Sequence, residues 1–156
     1  METQAIEIVE TEIPLEKAMS LNHSRLTGRI VALLLAHEDR YDILPELDLE
    51  LTTGRAKPDV AIVPKQVYNW REDVIHFPQP PITAIEILSP TQSFDYLAGK
   101  IDKIYLAGGV KSAWLVVPFV NNIHLFLPDG SITTVASGTL HDPVTNIEVA
   151  IADIFR

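Results

Sequence analysis

Hydrophobic positions follow a helical period early in the chain and a strand period soon after it. The helical spacing of three or four is set by Leu26, Ile30, Leu33, Leu34 and His37. It predicts one amphipathic helix through HSRLTGRIVALLLAHED, with the preceding Asn22 as its N-cap. The segment ELDLELTT then alternates strictly between apolar and acidic residues, and this pattern predicts a half-exposed strand.

Short, continuous apolar runs make up much of the remaining pattern. DVAIV, TAIEIL and SAWLVVP are typical of buried strands, and the proline-rich YNWREDVIHFPQPP between the first two predicts a loop. A helix is predicted from Gln92 to about Ala107, ended by Gly108-Gly109. NNIHLFLPDGSITTVA predicts a hairpin, and VTNIEVAIADIFR a strand and one helical turn. The order of elements predicts an α/β fold, a mixed sheet flanked by helices with a β-hairpin edge.

Length, composition and charge restrict the class of protein. The 156 residues suit one domain, with residues 1–20 as an N-terminal extension and 22–156 as the core. No apolar run approaches the roughly 20 residues of a membrane span. The N-terminus has no apolar signal core, and the absence of cysteine excludes disulfides. These features predict a cytoplasmic protein without a membrane segment.

The charge balance bears on nucleic-acid binding. With 12 basic and 21 acidic residues, the net charge of −9 opposes non-specific attraction to phosphate backbones. Four basic residues nevertheless cluster between positions 55 and 71, at Arg55, Lys57, Lys65 and Arg71. They form either a local basic patch or a set of solvated side chains.

Two carboxylates stand in apolar surroundings. Asp59 precedes the strand VAIV, and Glu86 lies between Ile85 and Ile87 in the next predicted strand. Burial of a carboxylate is costly without a cation, a hydrogen-bond donor or a metal. If the two strands pair, both acids and a backbone carbonyl form an oxygen-rich site suited to Mg²⁺ or Mn²⁺. Alternatively, Asp59 is a turn residue after Pro58, and Glu86 belongs to a buried ion pair.

The helix after Glu86 offers a cation for this site. At about 100° per residue, its apolar face is formed by Phe94, Leu97, Ile101, Ile104 and Tyr105. Lys100 lies at the border of that face and Lys103 points to water. Lys100 is therefore the better candidate to stabilise developing negative charge. Tyr105 is interpreted as a core residue.

Two other residues are candidates for supporting roles. His23 and His37 share a helix face but lie roughly 21 Å apart, too far to share a metal. His23, near the helix start, is kept as a candidate site residue, and His37 is interpreted as structural. Asp95 falls in the first turn of the second helix, where the helix dipole favours an acid. Support of the site is its second interpretation.

The combined motifs resemble a known family. PDVAIV, followed by EILSPTQSFDYLAGKIDKIYLAGGVKSAWLVVP, resembles the restriction endonuclease-like family known as domain of unknown function 820, in the PD-(D/E)XK nuclease superfamily. The resemblance runs from about His23 to the C-terminus. It implies Asp59 and Glu86 as metal ligands with the Ile87 carbonyl, Lys100 as the catalytic lysine, and Mg²⁺ or Mn²⁺ as cofactor. By the same analogy, DNA is the substrate and the protein is a homodimer.

The sequence departs from the superfamily pattern at two points. The motif lysine two residues after the strand acid is replaced by Leu88, and Lys100 or Lys103 from the following helix would supply it. The acid that many members carry on the first helix has no clear counterpart. These departures keep a second hypothesis open: a catalytically inactive nuclease-like fold, acting as a dimeric binding or scaffold protein.

Overall fold

The structure, a computed structural model, describes residues 19–156. The predicted extension 1–20 lies outside this range except for its last two residues. Helix α1 spans Leu21–Leu34, and a short 3-10 turn, Leu35–His37, continues it. Ser20 is the N-cap, because its side chain accepts a hydrogen bond from the backbone N–H of His23. The prediction of Asn22 as the cap was wrong, since Asn22 lies inside the first turn.

The strands within the described range divide into one large sheet and two small pairs. In chain order they are β1 (Tyr41–Pro45), β2 (Leu49–Leu51), β3 (Gly54–Ala56), β4 (Val60–Pro64), β5 (Thr83–Ile87), β6 (Ser112–Val117), β7 (Asn122–Phe126), β8 (Ile132–Val135), β9 (Thr139–Asp142) and β10 (Ile147–Ala150). The large sheet has the order β1-β4-β5-β6-β7-β8. Only β5 and β6 are parallel, so the sheet is mixed as predicted, with the β7–β8 hairpin at one edge.

The two small pairs are β2–β3 and β9–β10. The predicted strand over ELDLELTT was too long, because only Leu49–Leu51 pairs with β3. Between β1 and β2, Glu46 adopts a left-handed backbone conformation with a φ of 53°, which ends the extended backbone of β1. Neither β1 nor β9 was predicted from the sequence.

The second predicted helix is confirmed, in two forms. Helix α2 spans Phe94–Lys100 and is capped by Ser93, whose side chain accepts from the N–H of Tyr96. The chain then continues as a π-helix over Ile101–Leu106. Gly109, with a φ of 107°, follows the helix end. The C-terminal turn is α3, Ile151–Ile154.

The sheet separates two hydrophobic layers. One packs beneath α1, where Leu26 and Ile30 meet Ile85 and Trp114. The other packs beneath α2 and the π-helix. Because side chains alternate along a strand, Ile85 and Ile87 face the first layer and Glu86 faces the second. None of the helices between residues 19 and 156 has the length and apolar character that crossing a bilayer requires.

Candidate functional site

A cleft of about 570 Å³ opens where the start of β4 meets the end of β5. Helix α1 contributes His23 to the wall, and α2 contributes Tyr96 and Lys100. The acidic, basic and histidine residues that line the cleft are His23, Glu46, Asp48, Arg55, Lys57, Asp59, Glu86 and Lys100. The sequence-predicted acids and the preferred lysine therefore share one cavity.

Asp59 lies just beyond the last paired residues of β4 and β5 and bonds across to β5. Val60 pairs with Ile85, so the same register extended by two residues places Pro58 opposite Ile87. Proline has no N–H, so residue 58 cannot donate to the carbonyl of Ile87. The N–H of Ile87 itself donates to the carboxylate of Asp59, with Oδ2 at 2.7 Å. The local sequence Pro-Asp thus fixes one oxygen of this acid against the neighbouring strand.

The second oxygen of Asp59 is held by the first helix. Nε2 of His23 lies 3.0 Å from Oδ1 of Asp59. The hydrogen bond to Asp59 raises the pKa of His23, against an opposing effect of burial, and the charge of Asp59 adds to the rise. His23 thus lies in the site. His37 instead contacts Arg40, with Nδ1 at 3.3 Å from Nη2, outside the residues that line the cleft.

Glu86 is buried at the cleft wall, with a side chain only 5% exposed. Its Oε1 accepts hydrogen bonds from Nζ of Lys100 at 2.8 Å and from Oη of Tyr105 at 3.0 Å. Burial raises the pKa of Glu86 to about 7. The charge of Lys100 opposes this rise and the charge of Asp59 adds to it. The site therefore disfavours the ionised form of this carboxyl group.

The structure separates the two lysines of the second helix as the helical wheel predicted. Lys100 reaches Glu86, whereas Lys103 is exposed. Asp95 lies exposed in the first turn of α2 and is not among the described residues that line the cleft. Phe94, predicted on the apolar face, is 38% exposed and packs edge-on against His124.

The basic cluster near Asp59 is divided between two places. Arg55 and Lys57 line the cleft. Nη2 of Arg55 lies 2.8 Å from Oδ2 of Asp48, which holds the guanidinium at the cavity wall. Lys65 instead contacts the buried Asp42, with Nζ 2.7 Å from Oδ1. Half of the predicted patch therefore faces the cleft.

Tyr105 and Glu46 are among the residues of the site that the sequence did not predict. Tyr105 was interpreted as core, yet its hydroxyl group bonds directly to Glu86. Glu46 lines the cleft, and its N–H donates to the carbonyl of Asp59 at 3.1 Å. Tyr105 lies five residues after Lys100. This spacing places two side chains on one helix face in a π-helix but not in an α-helix. Glu46 belonged to the alternating pattern of ELDLELTT, which predicted only an exposed strand face and not a position in the cleft.

The donor set determines whether a metal ion suits the site. Within residues 19–156, no group of three or more His, Asp or Glu side chains is arranged to hold a metal. Two acids, Asp59 and Glu86, do border one cleft. In a regular strand the carbonyl of Ile87 lies on the same edge as its N–H, which donates to Asp59. Mg²⁺ is commonly held by one or two carboxylates, completed by water and substrate phosphate, so this donor set fits it.

Comparisons with known proteins agree with the fold. Residues 1–151 match the model of the Uma2 family, whose description is "Putative restriction endonuclease". A crystal structure of a "putative nuclease belonging to DUF820" from Anabaena variabilis is similar, with a TM-score of 0.75 at 20% sequence identity. The similarity covers 87% of this chain and 81% of that chain. No curated protein matches the sequence.

Proposed function

The chain belongs to the Uma2 family, and on this premise we propose that it is a divalent-metal-dependent endonuclease that hydrolyses DNA phosphodiester bonds. The observation that carries the proposal is the meeting of Asp59, Glu86 and Lys100 at one cleft. The metal is Mg²⁺ or Mn²⁺. Its ligands are Asp59, Glu86 and the backbone carbonyl of Ile87.

Each residue has a distinct part in the proposed reaction. A bound metal supplies Lewis-acid charge that neutralises the scissile phosphate and makes water a better nucleophile. Lys100 stabilises the negative charge that develops on the phosphate oxygens. His23 holds Oδ1 of Asp59, and so orients a ligand rather than contacting the substrate.

The basic residues of the cleft provide for DNA binding. The net charge of −9 disfavours DNA over most of the surface, so attraction has to be local. Arg55 and Lys57 lie on the cleft wall, and Asp48 holds the guanidinium in place. We assign these two side chains to the phosphates that flank the scissile bond, because such contacts position the backbone without reading its sequence.

The test begins with metal binding. Mg²⁺ and Mn²⁺ are titrated by calorimetry into the wild type, Asp59→Ala and Glu86→Ala. Binding that both substitutions abolish supports a shared metal site. No binding to the wild type at millimolar metal sinks the proposed enzyme.

Cleavage of plasmid DNA then tests the lysine. We expect Lys100→Ala to reduce the rate on the order of 100-fold, the loss typical of one charge-stabilising group. The exposed Lys103 of the same helix is the matched control, and Lys103→Ala should cleave as the wild type does. Equal activity of both variants would remove Lys100 from the mechanism.

One observation favours the second hypothesis, a catalytically inactive scaffold. Lys100 and Glu86 already form a buried ion pair at 2.8 Å, which needs no metal. A structural ion pair loses stability when Glu86→Gln removes its charge. A site kept for metal holds or gains stability, because repulsion from Asp59 is relieved.

The proposal includes a two-fold homodimer in the cytoplasm. Two sites related by a two-fold axis suit the cleavage of both DNA strands. The loop between β4 and β5 exposes apolar side chains, Val67, Trp70 and Ile75, which provide a surface for self-association. Sedimentation at micromolar concentration tests the assembly, and a monomer that still cleaves would remove the dimer from the proposal.

A further inference from the structure

The helix that carries Lys100 changes type directly after it. In an α-helix, residues five apart diverge by about 140°, so Lys100 and Tyr105 would face different surroundings. From Ile101 to Leu106 the helix is a π-helix. The N–H of Ala107 bonds to the carbonyl of Asp102 at 3.2 Å, a five-residue step. Such steps bring residues five apart onto one face, and π segments of this kind are frequent at functional sites.

The change of helix type brings two donors to a single oxygen. Lys100 and Tyr105 both donate to Oε1 of Glu86, at 2.8 and 3.0 Å. Nζ of Lys100 also lies 5.5 Å from the centre of the Tyr105 ring. Both side-chain hydrogen bonds described for Glu86 therefore end on the same atom. The tyrosine is completely buried, so its hydroxyl group has a fixed direction.

We propose that Tyr105 is a positioning residue of the cleft, which the π-helix brings to Glu86 so that the carboxylate is fixed for cation binding. The terminal torsion of a glutamate is broad, so one hydrogen bond leaves the carboxylate free to swing. Two donors on Oε1, approaching from different side chains, restrain that torsion. Oε2 is then the oxygen presented to a divalent cation. This inference rests on the proposed function, since it assigns Glu86 as a ligand.

The test compares two tyrosine-to-phenylalanine substitutions. Tyr105→Phe keeps the buried ring and removes only the hydroxyl group on Glu86. Tyr41→Phe removes a hydroxyl group that bonds to the carbonyl of Thr145 at 3.4 Å, outside the residues that line the cleft. By calorimetry with Mn²⁺, we expect roughly tenfold weaker binding for Tyr105→Phe, as is usual when a partner of a metal ligand is lost. Tyr41→Phe should bind as the wild type does.

Kinetics separate positioning from a purely structural role. Tyr105→Phe should lower kcat on plasmid DNA with an unchanged KM, because Arg55 and Lys57 still contact the backbone. If Tyr105→Phe lowers only the melting temperature and leaves Mn²⁺ affinity and kcat intact, the tyrosine is merely structural and the inference is overturned.

A double-mutant cycle provides the sharpest check. Because Lys100 and Tyr105 restrain the same oxygen, the effects of Lys100→Ala and Tyr105→Phe on Mn²⁺ affinity should be non-additive. Additive effects would contradict a shared restraint. A wild type that binds no Mn²⁺ at all sinks the proposed function, and this inference with it. A wild type that binds, beside a Tyr105→Phe variant that binds equally well, sinks this inference alone.

Discussion

Two buried acids of this protein are held in opposite ways. Asp142, at the end of β9, is completely buried. Its Oδ2 accepts from Oγ of Ser112 at 2.6 Å and from Nε1 of Trp114 at 2.8 Å. Its Oδ1 accepts from the N–H of Val144 at 2.8 Å. Glu86, by contrast, lies at the wall of a cleft, and its Oε1 accepts hydrogen bonds from both the ammonium of Lys100 and the hydroxyl of Tyr105.

The difference shows that burial alone does not mark a functional carboxylate. The donors around Asp142 are neutral, are distributed over both oxygens, and join β6 to the β9–β10 pair. They suit a structural link. Around Glu86, burial and the charge of Asp59 raise the pKa to about 7, against the lowering effect of Lys100. An environment that disfavours the ionised form, beside a cavity, is typical of groups kept for binding or catalysis.

The largest expected effect is on the structural acid. Asp142→Ala leaves the buried N–H of Trp114 and the N–H of Val144 without their acceptor, and each such loss is costly. We expect the free energy of unfolding to fall by about 3–5 kcal/mol, as measured by urea denaturation. Glu148→Ala, an exposed acid in the adjacent β10, is the control and should change little. A loss below about 1 kcal/mol would contradict the structural role assigned to Asp142.

A smaller effect, with a characteristic pH dependence, is expected at Glu86. Its pKa is about 7 in the folded protein and 4.5 as the reference value, so the folded state binds the proton more tightly. This contribution to stability is complete below pH 4.5 and is lost as the pH rises towards 7. Metal-free wild type should therefore lose roughly 1–3 kcal/mol of unfolding free energy relative to Glu86→Gln over this window.

The readout is the difference between the two proteins in urea unfolding, measured at pH 4.5 and at pH 8. Taking the difference cancels most of the titration of other groups. Parallel pH profiles would show that burial does not disfavour the Glu86 carboxylate. A Glu86→Gln variant that is less stable than wild type at pH 8 would favour the scaffold hypothesis.

The smallest effect on stability is expected at Thr83, which adds one residue to the hydrogen-bond network of Asp142. Oγ1 of Thr83 lies 2.7 Å from Oγ of Ser112, which in turn donates to Asp142. Thr83→Val keeps the shape and removes this hydrogen bond, so we expect a loss of about 1 kcal/mol in unfolding free energy. Mn²⁺ affinity at the cleft should be unchanged. A change in that affinity would show that Asp142 and Glu86 are energetically coupled, and would contradict the distinction between a structural acid and a cleft acid.

The sequence predicted what depends on local pattern. Continuous apolar runs placed β4, β5 and β6, and the helical wheel separated Lys100 from Lys103. It missed β1, because Asp42 interrupts the apolar pattern of YDILP. The partners of that acid, Lys65, Gln66 and Tyr68, come from a loop more than twenty residues later. Long-range partners leave no periodic signal.

The sequence predicted that several of the cleft residues converge, but not their geometry. Asp59, Glu86, Lys100 and His23 meet in the cleft, as the spacing and the resemblance suggested. The role of Tyr105 was missed because the wheel assumed 100° per residue throughout, whereas the π-helix turns its face towards Glu86. Tertiary packing decides between an α-helix and a π-helix here, and the residue propensities of IDKIYL do not predict which one forms.

The hydrogen bond between Ile87 and Asp59 gives the cleft a built-in spectroscopic reporter. In most of the sheet an amide proton faces a carbonyl oxygen, whose charge does not change. The amide of Ile87 instead donates to a carboxylate, with its nitrogen 2.7 Å from Oδ2 of Asp59. Any cation that draws electron density from Asp59 weakens this bond and shifts the amide resonance. The single backbone signal of this buried amide, in a nitrogen–proton correlation spectrum of 15N-labelled protein, thus reports occupancy of the cleft.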